Sequence, residues 1–259
     1  MKNRRTHASA RKQNPKADAR RQALLRFLRQ NTWLVLLLVL ILVALVLFLC
    51  VVTGALARHG QQAYEGLKKL GFSYLQFIPC LDALGSARGE NPWSLTPKRY
   101  AGFLRTVFDL WYRDYASGHY VSVRQFDDYV HLLAGRRASA CAATGQCGQY
   151  FVVEADGSCY PCDFFVLPET KTGNVNESTL SAIAAGAQQK KFEDSGAARP
   201  RECAACEFSV PCGAGGCRRD FVTEENGSVR NYFCPAYREF FAYAMERLEQ
   251  IAAMERRMR

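Results

Sequence analysis

The sequence predicts an α/β fragment, then a cysteine-rich α+β domain, with one transmembrane helix ahead of both. Three observations support this fold class: predicted helices and strands alternate, eight downstream cysteines have the spacing of metal ligands, and an uninterrupted apolar segment lies near the N-terminus. At 259 residues the chain has room for one large domain or two small ones. The predicted parts are a basic disordered arm (1–30), a transmembrane helix (31–55), an α/β segment (60–136) and a cysteine-rich domain (137–259).

The basic arm carries most of the net charge. The formal net charge of the chain is +10, and residues 1–30 contain ten Lys or Arg residues against one acid, Asp18. Such a segment is typical of a solvated, disordered arm, and Lys and Arg beside a membrane segment meet anionic lipid. We therefore favour a membrane-proximal arm over one that binds nucleic acid.

The apolar segment from Trp33 to Val52 has one polar group, the thiol of Cys50. A helix of about 20 residues spans the hydrocarbon core of a membrane, roughly 30 Å. A signal peptide is the rival interpretation, with Ala55-Leu56-Ala57 as its cleavage site, but the apolar run and the preceding arm are too long for one. The sequence therefore predicts a single uncleaved membrane anchor.

Hydrophobic periodicity in the α/β segment predicts helices over 61–70, 97–116 and 126–133 and strands over 72–78 and 120–123. Thr96 and Pro97 mark the start of the long helix, as a hydroxyl N-cap and a proline at the first helical position. A parallel strand over 72–78 needs a strand on each side, and only the membrane helix precedes it. Most of a sheet or barrel is therefore expected to be missing.

The cysteine-rich domain is predicted to begin with a hairpin and to end with a helix. Residues 149–154 alternate in polarity, Asp156-Gly157 provides the turn, and the returning strand leads to Cys162. The last helix is predicted from Pro235 to about Met258. Its aromatic side chains suggest that it docks on the cysteine-rich domain.

Nine of the eleven cysteines lie between residues 141 and 234, and eight of these have metal-ligand spacing. Eight thiolates make two sets of four, and four thiolates complete either one tetrahedral zinc site or one four-iron cluster. Disulfides, which a location outside the cell would favour, fit the Cys-x2-Cys pair and the glycine-rich loops less well. Spacing alone does not choose between zinc and iron. The eight residues are Cys141, Cys147, Cys162, Cys203, Cys206, Cys212, Cys217 and Cys234.

This cysteine pattern resembles the SPASM domain of radical-SAM enzymes. Further segments between about residues 72 and 247 resemble the anaerobic sulfatase-maturating enzymes, many of them in the same order. These segments are Tyr74-Leu75-Gln76-Phe77-Ile78-Pro79-Cys80, Phe108-Asp109-Leu110-Trp111, Val121-Ser122-Val123-Arg124, Phe151-Val152-Val153-Glu154-Ala155-Asp156-Gly157, Tyr160-Pro161-Cys162-Asp163-Phe164, Gly173-Asn174-Val175 and Cys217-Arg218-Arg219-Asp220.

The resemblance implies the end of a partial (β/α)6 barrel followed by a SPASM domain with two auxiliary [4Fe–4S] clusters. It implies oxidation of a Cys or Ser of a sulfatase polypeptide to formylglycine, with S-adenosylmethionine and a third cluster as cofactors. It also assigns Asp163 as general base for the substrate and Leu81 as a contact of the adenine. By matching position, the first auxiliary cluster takes Cys141, Cys147, Cys162 and Cys217, and the second takes Cys203, Cys206, Cys212 and Cys234.

Two departures from the family pattern bear on activity. The family has Cys-x3-Cys ahead of Arg-Arg-Asp, whereas this chain has Cys212-x4-Cys217. The family also binds its catalytic cluster through Cys-x3-Cys-x2-Cys, and no such motif occurs in the 259 residues. We therefore expect that this chain alone does not generate formylglycine. For Asp163, a carboxylate that accepts hydrogen bonds from loop amides is an equally favoured interpretation.

Two alternatives from other classes stay open at this point. One is a membrane-anchored, non-enzymatic metal-binding protein, and the other is a truncated or misjoined gene fragment. Topology bears on both, because the positive-inside rule places the cysteine-rich domain outside the cell, whereas iron–sulfur clusters assemble in the reducing cytoplasm. No role is predicted for Cys50, Cys80 or Cys159.

Overall fold

A three-stranded parallel sheet forms the base of the α/β part. Its strands are β1 (Leu47–Val52), β2 (Tyr74–Pro79) and β3 (Ser122–Val123), in the order β1-β2-β3. The computed structural model describes residues 33, 47–83, 86–148, 150–213 and 215–258. A 3-10 turn (Leu56–His59) and helix α1 (Gly60–Lys69) connect β1 to β2, α2 (Pro97–Ala116) leads to β3, and α3 (Arg124–Leu133) follows.

Strand β1 contradicts the predicted membrane helix (31–55) over residues 47–52. Residues 47–52 pair in parallel with β2, from Leu47 opposite Tyr74 to Val52 opposite Pro79. Apart from Trp33 and the residues from 47 onward, the predicted helix lies outside the described residues, as does the basic arm. Across the described ranges, no helix has both the length and the apolar character to cross a membrane.

The error has a physical reason. Every residue of β1 is apolar, including Leu49 and Val51, which are each 53% exposed, and periodicity does not distinguish such an unbroken apolar run from a helix. Strand β2 does have neighbours on both sides, as expected, and the neighbour that was thought to be missing is β1. The α/β part is thus one strand more complete than the sequence predicted.

The side chains of β1 differ sharply in burial, which gives a direct test of the strand. Val52 is fully buried, whereas the adjacent Val51 is 53% exposed. We expect Val52→Ala to lower the free energy of unfolding by about 2 kcal/mol through cavity formation. The matched change Val51→Ala is expected to cost less than about 0.5 kcal/mol. Urea denaturation of the full chain measures both, and equal losses would contradict the strand.

Helix α2 provides the centre of the hydrophobic core. The side chain of Thr96 accepts a hydrogen bond from the Arg99 amide at 3.4 Å and Pro97 occupies the first turn, as the sequence predicted. One face of the helix is buried over its whole length. Its buried apolar residues are Tyr100, Ala101, Phe103, Leu104, Val107, Phe108 and Trp111.

The C-terminal helix, α8 (Cys234–Arg257), packs mainly on the α/β part. Phe240 lies against Phe108 and Phe126, with ring centroids 5.4 and 5.7 Å apart. Phe241 contacts Tyr129 and also Phe208 of the cysteine-rich part. The predicted docking on the cysteine-rich domain is therefore only partly right, because most of the aromatic contacts of α8 are to α2 and α3.

The cysteine-rich part is built from short elements. An antiparallel sheet contains β4 (Val152–Val153), β5 (Ser158–Tyr160) and β6 (Gly173–Asn174), and a two-stranded ribbon contains β7 (Phe221–Thr223) and β8 (Val229–Asn231). The helices are α4 (Cys141–Thr144), α5 (Leu180–Ala184), α6 (Ala187–Ala197) and α7 (Ser209–Cys212). The predicted hairpin is confirmed: Gly157 adopts a φ of +82° in the turn between β4 and β5.

Candidate functional site

The second set of predicted thiols surrounds one cavity. Cys203 lies in the 3-10 turn Arg201–Ala205, Cys206 ends that turn, and Cys212 and Cys234 are the last residue of α7 and the first of α8. All four line a cavity of about 520 Å³. The fold therefore brings together four cysteines that span 32 positions of the sequence.

Burial and the charges of neighbouring thiols raise the pKa of Cys203, Cys212 and Cys234. Burial, together with the nearby Cys234, Cys203 and Cys206, raises the pKa of Cys212 to about 11. A guanidinium nitrogen of Arg238 lies 3.7 Å from the Cys206 Sγ. Because metals bind thiolates, loading this site must release protons, and the adjacent cation favours that release.

The first set of thiols converges from four separate segments. Cys141 begins α4, Cys147 lies in the loop after it, Cys162 follows β5, and Cys217 precedes the 3-10 turn Arg218–Asp220. Burial raises the pKa of Cys217 to about 12, with further contributions from Cys141 and Cys162. Cys141 likewise raises the pKa of Cys147. Cys217 is thus near enough to Cys141 and Cys162, and Cys147 near enough to Cys141, for their charges to interact.

The geometry of the second set fits a cluster. A zinc ion needs four sulfurs converging on one point at about 2.3 Å, whereas a four-iron cluster takes one thiolate at each of four iron atoms and so needs ligands around a volume. The second set lines such a volume. In the described part of the chain, no three His, Cys, Asp or Glu side chains are placed to hold a single metal ion.

The extra residue between Cys212 and Cys217 is accommodated by glycine. Gly213, Gly215 and Gly216 have φ values of +65°, +111° and +71°, which side chains other than glycine rarely adopt. A Cβ at Gly213 would lie 2.2 Å from the Ala143 carbonyl oxygen. The loop that leads to Cys217 therefore packs directly on α4, which carries Cys141.

Asp128 holds the segment that leads into Cys141. It is 2% exposed on α3, and its carboxylate accepts hydrogen bonds from the amides of Ser139 and Ala140 at 2.6 and 3.0 Å. Arg124, also on α3, donates to the Ser139 hydroxyl at 3.0 Å. Neither role can be read from the sequence, because no local pattern links Asp128 or Arg124 to a cysteine that follows many residues later.

We expect Asp128→Ala to weaken the first thiol set selectively. Two buried amides would lose their acceptor, which costs about 2–3 kcal/mol and frees the segment before Cys141. The measurement is iron per chain after anaerobic reconstitution, which should fall by up to half. Asp127→Ala is the matched control, because Asp127 accepts from Tyr120 and Ser122 rather than from this segment. An equal loss in both variants would contradict the assignment.

A cleft of about 470 Å³ lies beside the first thiol set, and both Leu81 and Asp163 line it together with Cys141 and Cys217. Asp163 follows the ligand candidate Cys162 directly. Its carboxylate accepts from the Tyr150 hydroxyl, and the Cys162 Sγ lies 3.5 Å from it. Among the described residues its hydrogen-bond partners are thus side chains and not the loop amides of the alternative interpretation. Tyr150, which the sequence analysis missed, also lies 3.6 Å from the Cys162 Sγ.

Residues 141–207 match the SPASM family, an iron–sulfur cluster-binding domain. The chain is 40% identical over 205 residues to a cysteine-type anaerobic sulfatase-maturating enzyme of Clostridium perfringens (strain 13 / Type A), covering 79% of this chain and 55% of the relative. It is 26% identical over 211 residues to a serine-type enzyme of Bacteroides thetaiotaomicron, covering 75% of this chain and 50% of the relative. The chain therefore spans about half the length of the curated relatives it matches.

Solved structures give the same result. Native anSMEcpe with bound AdoMet and the Kp18Cys peptide superposes with a TM-score of 0.75 at 39% identity, covering 80% of this chain and 57% of that chain. Native anSMEcpe with bound AdoMet gives the same TM-score and covers 56% of that chain. The predicted resemblance to the anaerobic sulfatase-maturating enzymes, over their C-terminal part, is confirmed, and the α/β and cysteine-rich parts share their fold.

Proposed function

We propose that this chain holds two [4Fe–4S] clusters beside a peptide-binding cleft, as the iron–sulfur half of a formylglycine-generating enzyme. The observation that carries the proposal is that Cys203, Cys206, Cys212 and Cys234, the set that the family resemblance assigns to the second cluster, line one cavity. The first cluster would be held by Cys141, Cys147, Cys162 and Cys217, and the second by Cys203, Cys206, Cys212 and Cys234.

Such clusters supply one-electron transfer when bound. The contribution of the chain itself is to bind and orient a substrate in the cleft. A base for the thiol or hydroxyl of a substrate Cys or Ser must lie within hydrogen-bond reach of it. Asp163 lines the cleft and has a carboxylate available for this, and Tyr150 donates to one of its oxygens and fixes its orientation.

The cleft has the size and lining for a peptide segment. Its volume of about 470 Å³ lies within the usual range for ligand sites, and its lining combines apolar residues such as Leu81 with polar ones such as Arg124 and Gln125. The relative anSMEcpe has been solved with peptides bound. A sulfatase polypeptide is the partner that this similarity supports.

These 259 residues contain no Cys-x3-Cys-x2-Cys motif. Reductive cleavage of S-adenosylmethionine needs an iron with an open coordination position, which a set of three thiolates leaves and a set of four does not. We therefore propose that the chain alone does not cleave S-adenosylmethionine, although Leu81 lines the cleft where an adenine contact is expected. Formation of 5′-deoxyadenosine, after incubation with reductant, S-adenosylmethionine and a sulfatase peptide, would contradict this.

The metal content of the anaerobically prepared chain tests the proposed function. About eight iron and eight sulfide per chain are expected, the content of two four-iron clusters. Stoichiometric zinc, or a folded protein without metal, would contradict the proposal. The full 259-residue chain is required, because a fragment that begins after residue 52 lacks β1 and the buried Val52.

A further inference from the structure

A cavity of about 690 Å³ has no cysteine in its lining, although two of its residues, Arg218 and Arg219, directly follow Cys217. It is formed by residues 86–88, the 3-10 turn Arg218–Asp220, strand β7 and the side chains of Phe165 and Tyr232. Three of the residues that line it are arginines: Arg88, Arg218 and Arg219. Among the described residues that line it, none is acidic. We refer to it as the arginine cavity.

The three guanidinium groups form no ion pair with a carboxylate in the described part of the chain. They donate instead to neutral oxygens. Arg88 donates to the Arg219 carbonyl at 2.7 Å, Arg219 donates to the Asp82 carbonyl, and Arg218 donates to the Ser195 hydroxyl at 2.5 Å. Arg218 also donates to the Phe192 carbonyl at 3.3 Å and lies over the rings of Phe165 and Phe192. Each guanidinium carries five N–H donors, so donor capacity remains at all three.

Arg219 is the most constrained of the three. It is 7% exposed, and its Nη1 has no hydrogen-bond partner among the described atoms. Like charges held together around a cavity, with a buried donor unsatisfied, cost free energy that a bound anion would offset.

The nearby carboxylates are not aimed at the arginine cavity. The Asp82 carboxylate accepts from the Gly89 amide at 2.9 Å, the Asn91 amide group at 3.2 Å and the Ser94 hydroxyl. Asp220 lines the cleft beside the first thiol set instead. Both carboxylates lie near enough to interact electrostatically with Arg88, but neither lines the arginine cavity or forms an ion pair with its arginines in the described part of the chain.

We propose that the arginine cavity binds a small organic oxyanion, a carboxylate or phosphate group on an apolar body. Guanidinium groups match the geometry of both oxyanions with paired hydrogen bonds. Thr223 and Tyr232 add hydroxyl groups to the lining, and Phe221 and Val222 add an apolar surface for the rest of the ligand. The volume lies in the range of small-molecule sites.

Isothermal titration of the full, anaerobically reconstituted chain tests this proposal, with inorganic phosphate, phenyl phosphate and benzoate as probes. We expect saturable binding of one molecule per chain, tighter for phenyl phosphate than for inorganic phosphate. Comparison of phenyl phosphate with benzoate identifies the preferred oxyanion. Arg88→Gln should weaken binding at least about tenfold. Arg88→Lys should weaken it less, because lysine keeps the positive charge but lacks the paired N–H donors of the guanidinium group.

Arg105→Gln is the matched control, because Arg105 is an exposed arginine on α2 that pairs with Glu239. The Arg105→Gln protein should bind the three probes with the same affinity as the unaltered chain. Absence of saturable binding, or equal binding by the Arg88→Gln protein with its melting temperature preserved, would overturn the proposal. The proposal would also be overturned if Arg88→Gln left the affinity for phenyl phosphate unchanged but shifted the reduction potential of a cluster. The arginines would then serve only to offset the charge of the cluster.

Discussion

Replacement of Cys147 or Cys206 by serine is expected to remove one cluster each, so that iron falls from about eight to about four atoms per chain. Cys147 belongs to the first thiol set, and Cys206 lies in the second, where it lines the cavity of about 520 Å³. Each four-iron cluster needs one thiolate per iron, and a serine hydroxyl is a poor substitute for a thiolate. The double variant should bind almost no iron.

Cys159→Ser is the matched control for these variants. Cys159 is fully buried in β5, and its Sγ lies 3.6 Å from the Gly157 carbonyl oxygen, to which it is placed to donate. A serine at this position is expected to leave the iron content unchanged. Iron and sulfide analysis with paramagnetic resonance of the reduced protein measures the outcome. Loss of all iron from either single variant would contradict two separately held clusters.

The elements that the sequence predicted well have strong local signals. Helix α2 was predicted over 97–116 and is Pro97–Ala116, because a capping threonine, a proline and a regular apolar face all specify the same segment. Helix α3 begins two residues earlier than predicted, at Arg124. Strand β1 was mispredicted because its apolar run carries no periodicity that separates a parallel strand from a helix.

The residues of the candidate site also differ in whether the sequence carries a signal for them. The eight cysteines stay a prediction that rests on thiolate spacing typical of metal sites and on the family resemblance, which assigned each one to a set. Asp128 and Tyr150 could not be predicted, because their roles depend on side chains that only the fold brings near. Asp128 accepts from amides 11 and 12 positions away, and Tyr150 contacts a carboxylate 13 positions away. Such contacts leave no periodic trace in a sequence.

Phe240→Ala is expected to destabilise the chain by about 3–5 kcal/mol. The side chain is fully buried on α8, and its ring packs against those of Phe108, Phe126 and Tyr129. Its removal leaves a cavity where α8 meets α2 and α3, and neighbouring rings fill such a space only in part. Urea denaturation of the full chain measures the loss.

Met254→Ala is the control on the same helix, because Met254 is 53% exposed and its loss should cost less than about 0.5 kcal/mol. The Phe240 variant should also lose iron from the second thiol set first, because Cys234 is the first residue of α8. A ligand that binds only the folded state stabilises it, so weaker anchoring of α8 must appear as weaker retention of its cluster. After exposure to a chelator, loss of about four iron atoms from Phe240→Ala but not from Met254→Ala is the expected result. If both variants retained the same amount of iron, the packing of α8 would have no effect on retention of the second cluster, and the prediction would be wrong.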